Sequence, residues 1–494
     1  MKTKELQISK LGKLLLLLLL LSVCASSVYA SNPIVFTSTI DVKWSTPGNW
    51  STGALPTPTD DVVIDGECEL DQDATVASLS VNEGKTITIK SGKTLCVTET
   101  IITTDVSQLV IEDHGQLVHN DGTALATVHK HINSSPDADN PLMQLIASPV
   151  TDNDSVENIN FHDYILYTFD PYNIPQWVDQ SENSIVEFKK GYMYATIEET
   201  TLAFKGTLAA ATDPTPLDYE GNVGNIAVNL IGNPYPCNAY VENSYYRLNA
   251  EGTSLIAEAG AINPCESVFV VATAQGQNVE FGKSAMATEL IKISLLEENG
   301  ALIDQVVVRF DDKDNLYKII LNDESTTIYV RQDGTNFASV SISLEEGNLP
   351  LYFKTYEDAS YTLNISVENM EMYYLHLVDN LMGMDVDVLN GSQSYSFSAS
   401  TMDYLSRFKL VFNKTSVDEN GSEPSFAFVS NGNLILNGVG ENATIQIVDM
   451  LGRVVRNENI GERNSIPVGG MKTGVYVLLL DDGTRVKTQK IVIE

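Results

Sequence analysis

The chain is 494 residues long and strongly acidic: 65 aspartates and glutamates stand against 30 lysines and arginines, a formal charge of −35. That balance excludes a nucleic-acid partner, whose phosphates would be repelled, and a 43% hydrophobic content excludes a disordered polypeptide. The length predicts three or four domains.

Residues 1–30 read as a signal peptide. Lys2, Lys4, Lys10 and Lys13 precede the apolar run Leu14 to Leu21, and Ala30 offers a cleavage point before Ser31. The run is too short for a retained membrane-spanning helix. A competing reading takes Leu21-Ser22-Val23-Cys24 as a lipoprotein signal with Cys24 acylated, although valine fits poorly just before the cysteine. The other four cysteines, Cys68, Cys96, Cys237 and Cys265, fall into two groups, which predicts two local disulfides in an oxidising compartment. No Cys-x-x-Cys or neighbouring histidine completes a metal set around them.

Residues 31–126 begin with Trp44-Ser45-Thr46-Pro47-Gly48-Asn49-Trp50 and continue in short strands at nearly constant spacing. Leu79 and Val81, Ile87 and Ile89, Leu95 and Val97, Leu109 and Ile111, and Leu117 and His119 point inward between turns such as Glu83-Gly84-Lys85 and Ser91-Gly92-Lys93. A repeat of about eight residues is one strand plus one corner of a coil. This resembles the Trp-capped start of right-handed β-solenoids in bacterial surface proteins, with the tryptophans covering the open end of the core. Meandering antiparallel hairpins would give a similar alternation. The Gly84-Lys85-Thr86 and Gly92-Lys93-Thr94 triplets are turns, because a phosphate loop needs an earlier glycine where Leu79 and Ile87 stand.

Residues 127–287 form an aromatic-rich β domain. Leu145 to Val150, Tyr167 to Tyr172, Lys190 to Tyr194 and Asn229 to Pro236 resemble strands and rigid turns in the middle regions of Bacteroidetes surface proteins. Ile262 to Val270 occupies a position where those proteins often carry Pro-Gly-x-Gly-Phe-Phe, but its glycines are missing here. A bridge from Cys237 to Cys265 would tie two of these turns together. The aromatics Tyr164, Tyr167, Phe169, Tyr172, Trp177, Phe188, Tyr192, Tyr194 and Phe204 could stack on sugar rings, but their strand period favours core filler. His129 and His131 share one face of a strand without an evident third ligand.

Residues 288–412 give successive strands from Val306-Val307-Val308 to Phe408-Lys409-Leu410-Val411-Phe412 and read as a β-sandwich. Asp311, Asp312 and Asp314 cluster oxygens that would suit calcium, yet the spacing lacks an EF-hand's glycine and distal glutamate, so an acidic hairpin turn is preferred. Residues 413–425 are a polar linker. No Gly-x-Ser-x-Gly, His-Glu-x-x-His or nucleophilic Ser-x-x-Lys occurs, and no cofactor is evident.

Residues 426–494 read as a small antiparallel sandwich. Ile445 and Ile447 alternate with polar residues, Asp449-Met450-Leu451-Gly452 makes a turn, and Asp481-Asp482-Gly483-Thr484 signals a hairpin before the last strand. With Gly452, Arg453, Gly474, Tyr476 and Lys490 as its motif residues, this segment resembles the type A C-terminal sorting domain of Bacteroidetes proteins exported by the type IX secretion system. An ordinary terminal Ig-like domain is the bland alternative. The resemblance implies transit through the periplasm, recognition by the type IX translocon, removal of the tail by a sortase-like peptidase and anchoring to surface lipopolysaccharide. The strand order of 288–412 likewise resembles the domain that commonly precedes such signals.

The expectation is therefore an all-β protein: a short N-terminal β-solenoid, β-sandwich domains and an Ig-like sorting sandwich. It is secreted or held at the outer cell surface and acts as an adhesive, binding or structural module for a glycan or protein ligand. A glycan-active enzyme with paired carboxylates is the first alternative, and a lipid-anchored periplasmic or surface protein the second.

Overall fold

In the strands between Asp61 and His119 every second residue is buried, and this alternation builds a parallel structure. Leu79 pairs with Ile101, Ile87 with Leu109 and Leu95 with Leu117, each partner twenty-two residues further along. Three strands therefore make one turn of the chain, and like residues stack on like in three parallel sheets. Leu79, Ile87, Leu95, Leu109 and Leu117 are fully buried. Gly84 and Gly92 turn the corners at φ +70° and +72°, a region that strains any residue with a Cβ. Phe36, Trp44 and Trp50 pack edge to face, with Trp44 and Trp50 centroids 4.6 Å apart and Trp50 Nε1 donating to the Trp44 carbonyl.

The computed structural model describes residues 32–493, apart from 136–140, 153, 156–163, 171–175, 181–184, 220–226, 322–323, 390, 392, 414–425, 431, 437–442, 462, 464 and 482–485. The leader with Cys24, Ala30 and Ser31, residue Tyr172, the linker after Asn413 and the Asp482-Gly483-Thr484 turn lie outside the described residues. The chain divides into two compact units, residues 1–126 and 127–494. Apart from single 3₁₀ turns at Pro47–Asn49 and Leu344–Glu346, the described regular structure is all strand. Among the described residues no helix is long and apolar enough to cross a membrane.

In the second unit, two four-stranded antiparallel sheets come first. One orders Gln144–Ala147, Gly191–Thr196, Tyr164–Phe169 and Trp177–Asp179; the other orders Ala227–Gly232, Ser267–Ala272, Tyr245–Leu248 and Leu255–Glu258. Phe169, Trp177 and Phe269 interlock edge to face, so much of the aromatic wealth of this region is interior packing. Tyr192, Tyr194 and Phe204 are fully buried. The same core continues through Tyr246, Leu255 and Phe269 to Leu290, Val307 and Leu316, which belong to an eleven-stranded, nearly closed sheet spanning 290–413. Its interior is aliphatic and aromatic, including Ile293, Val306, Phe353, Leu363, Phe397 and Phe408.

The C-terminal segment pairs Ala427–Ser430, Asn433–Leu436 and Ser465–Pro467 in one sheet and Val454–Asn459, Thr444–Asp449, Gly474–Asp481 and Val486–Ile493 in another. Leu434, Ile445, Ile447, Ile466, Leu478 and Ile491 fill the space they enclose.

Neither expected disulfide is formed. Cys68 lies at an inward position of its strand and is 2% exposed, whereas Cys96 alternates with the buried Leu95 and Val97 and so faces outward from a different sheet. A bridge needs Cβ atoms that point at each other. The turns holding Cys237 and Cys265 are tied instead by Asn233, whose Nδ2 donates to the carbonyls of Cys237, Ile262 and Asn263 at 2.9–3.0 Å.

Candidate functional site

Large apolar side chains in a strand-rich protein normally go inside, so a group of them gathered on loops is informative. At one corner of the eleven-stranded sheet three connections converge. They are residues 355–358 between Asn348–Lys354 and Ala359–Glu368, residues 380–383 between Tyr374–Asp379 and Met384–Asp387, and residues 400–407 between Ser394–Ala399 and Phe408–Asn413. The strands they join are neighbours, since Ala359 pairs with Ala399, and Phe408 with both Leu351 and Asp379. Tyr356, Leu381, Met382, Met402, Tyr404 and Leu405 are all exposed there, Met402 at 89% and Met382 at 63%.

These loops stand on a fixed base. Arg407 is 1% exposed, and its Nη2 donates to Asp379 Oδ2 at 2.8 Å while Nε reaches both carboxylate oxygens. Its Nη1 donates to Asp403 Oδ2 at 2.8 Å and to the Ser398 carbonyl at 2.9 Å. The guanidinium also lies 4.7 Å from the Phe397 ring centroid and 5.1 Å from that of Phe408. Asp379 Oδ1 accepts the backbone N–H groups of Leu381 and Met382, so one ion pair fixes the tip of one loop and the root of another. Burial alone would raise the Asp379 pKa, but Arg407, the Met382 N–H and the Tyr395 hydroxyl hold it below the usual carboxylate range. Burial, with Asp379 beside it, pushes the Tyr395 phenol up to about 12. Two further bonds close the cluster: Phe353 N–H to the Leu405 carbonyl and Thr401 N–H to Asp358 Oδ1.

Beside the tips opens a cleft of about 900 Å³ lined by Glu297, Glu298, Glu357, Asp358 and Tyr361. Its wall is acidic. The Thr401 N–H, with the Ser400 hydroxyl, holds Asp358 below its ordinary value of 3.8, the reverse of what a general acid needs.

The residues singled out in the sequence lie elsewhere. Asp311 is occupied by Arg309, whose Nη2 and Nε donate to it, and by Ser341 Oγ, while Asp312 and Asp314 sit on the same turn. Among the described residues no group of three or more histidine, cysteine, aspartate or glutamate side chains is arranged to hold a metal. His131 pairs with Glu199 at 3.0 Å. In the C-terminal segment Gly452 turns at φ +79°, Arg453 pairs with Asp449 at 2.7 Å, the Tyr476 hydroxyl donates to the Lys472 carbonyl at 2.7 Å, and Gly474 and Lys490 lie on neighbouring strands. Arg407 and the loop tips carried no motif. Their one local signal is that Thr401 to Ser406 is a turn region holding Met402, Tyr404 and Leu405.

Residues 430–494 match the model of a secretion system C-terminal sorting domain, and residues 35–239 match a domain of unknown function (DUF8693). No curated protein is detectably similar in sequence. Among solved structures, the BSP domain of a biofilm-associated protein aligns at 11% identity over 75% of this chain and 97% of its own length, with a TM-score of 0.15.

Proposed function

Because the chain carries the type IX C-terminal sorting domain of Bacteroidetes proteins and is exported to the cell surface or beyond, we propose that the part preceding that tail is an adhesive or binding module. Its ligand contacts are the loops 355–358, 380–383 and 400–407. The observation that carries this reading is the exposed apolar cluster around Met402 and Met382, held on the buried Arg407–Asp379 base. Loops ordered in advance lose little entropy on binding, and flexible methionines beside tyrosines adapt to an irregular apolar partner surface or a sugar ring. In this reading residues 31–126 form a β-solenoid-like domain, 288–412 a sandwich bearing the loops, and 426–494 an Ig-like tail. A sortase-like peptidase removes that tail within 413–425 and leaves the passenger on lipopolysaccharide.

The test is binding of the purified chain to a glycan array and to immobilised extracellular proteins, with Met402→Asp and Leu381→Asp beside the parent. Loss of about tenfold in affinity for each, with unchanged melting, is the expected result. Undiminished binding by both variants sinks the assignment to these loops.

The acidic cleft gives a second reading, glycan hydrolysis by paired carboxylates. It predicts release of reducing ends that stops in Glu357→Gln; glycan capture without any release leaves only the binder.

A further inference from the structure

Asp304 lies in the strand Leu302–Arg309, and Lys318 follows the short strand Leu316–Tyr317. Their side chains are 3% and 2% exposed, and Lys318 Nζ is in direct contact with Asp304 Oδ1. Two backbone donors converge on the same carboxyl: Ile328 N–H on Oδ2 at 2.7 Å and Gln305 N–H on Oδ1 at 2.8 Å. Leu316 is buried beside them, with Ile303 and Ile319 packed against the cores on either side. No loop of the proposed binding site uses this pair.

We infer that Asp304 and Lys318 condense to an intramolecular amide. The Lys318 ammonium gives one proton to Oδ1, leaving a neutral amine beside a neutral acid. The amine lone pair attacks Cγ and the C–N bond forms. Negative charge gathers on Oδ2, where the Ile328 N–H already points, as in an oxyanion hole. The Cγ–Oδ1 bond then breaks, and Oδ1 leaves with its proton and a second one from the nitrogen, as water. One ammonium and one carboxylate become one amide and one water, with no oxidant, reductant or co-reactant.

Two physical factors drive the step. Full burial holds the Asp304 carboxyl above its usual range despite the adjacent lysine, so the initial proton transfer runs in the direction that a low dielectric favours. Proximity supplies the second: Lys318 Nζ touches Oδ1, one bond from the reacting Cγ, and intramolecular partners that reach an aligned geometry attain effective molarities on the order of 10⁵–10⁸ M. The product replaces two desolvated charges with one polar group whose carbonyl oxygen already has a donor. It would fasten the segment after Lys318 to an interior strand of the large sheet, in a protein that works outside the cell.

Mass spectrometry of the purified full chain tests the inference. The expected mass is lower than the sequence requires by one water, and proteolysis releases a branched peptide joining the Asp304 and Lys318 segments. Lys318→Arg restores the full sequence mass. In urea, which dissolves an ion pair and leaves an amide intact, Lys318 of the parent stays unreactive towards an acylating reagent that labels the other lysines. A parent of full mass whose Lys318 is acylated in urea overturns the inference, and that reading does not depend on any variant folding.

Discussion

The N-terminal unit and the eleven-stranded sheet solve one problem by different means. Each must satisfy backbone groups where the chain turns away from its strands. The first unit uses carboxylates at its more open turns, Asp121 accepting from the Ile101 N–H and Asp73 from that of Thr94, and neutral amides where the side chain is buried. Gln108, 2% exposed, accepts the N–H groups of Thr104 and Asp105 and donates to the Val81 and Asn82 carbonyls; Asn49, fully buried, accepts from Ile40 and donates to Asp41 and the Lys43 carbonyl. The large sheet uses ions, Arg407 with Asp379 and Asp403. Gln108 lies where the chain passes from one strand to the next, and its amide, with two donors and an accepting oxygen, serves N–H and carbonyl groups at once. The loop corner gathers three connections, two of four residues and one of eight. A guanidinium, with donors fixed in a plane, holds Asp379 at the start of one against Ser398 and Asp403 around another.

The largest effect that would break this comparison is Arg407→Met. It leaves the Asp379 carboxylate buried without its cation, a loss on the order of 3–5 kcal/mol, read as a fall in the urea midpoint of the second unit. A change within about 0.5 kcal/mol would show that the ion pair is incidental to the corner. Gln108→Leu is the counterpart in the first unit. It strands two backbone N–H groups and the Val81 carbonyl, Asn82 keeping the Lys85 N–H, but no charge, so about 1–3 kcal/mol is expected. The two units should be followed by separate probes, because a chain of several domains need not unfold in one step.

Acid separates the two devices more finely. Asp379 has a folded pKa below its ordinary value of 3.8, so its contribution is complete above that value and is lost as pH falls through the lower folded one. In Arg407→Met the carboxyl would be desolvated without its cation and its pKa raised towards or above the ordinary value, so the acid limb of stability against pH should flatten or reverse. Gln108→Leu should shift the curve downward without altering its shape. If both variants keep the parental acid limb, Asp379 is not the titrating group.

These devices differed in how visible they were from the chain alone. Strand periodicity at Leu79, Ile87 and Leu95, with glycine at the corners, could be read directly because each contact recurs at a constant offset. Register could not. Cys68 and Cys96 look like bridge partners from their grouping, and only the parallel stacking shows one facing in and the other out. Asp311 resembled a cation ligand, and it is one, but the cation is the guanidinium two residues before it. Arg407 and Asp379 are 28 residues apart with nothing local to join them. Long-range ion pairs such as this follow from topology, which single-sequence patterns do not encode.

The smallest change in stability should come from the site where the largest change in binding is proposed. Met402 makes so little contact with its own chain that Met402→Asp should alter folding by no more than about 0.5 kcal/mol. The same substitution places a carboxylate on the most exposed point of the apolar cluster, beside a cleft that is already acidic. Arg407→Lys would test the base beneath it in the opposite way, keeping the charge but losing the planar fork that engages Asp379, Asp403 and Ser398 together. If the loops work because they are held in advance, Arg407→Lys should weaken binding chiefly by faster dissociation, while Met402 stays in place. Met402→Asp should remove the contact itself and weaken binding without loosening the loops. Hydrogen exchange at Leu381, Met382 and Thr401 distinguishes the two, because protection there should fall only in the arginine variant. Equal protection in both, with binding reduced in both, would mean that the cluster binds through its surface chemistry and owes nothing to the rigidity of its base.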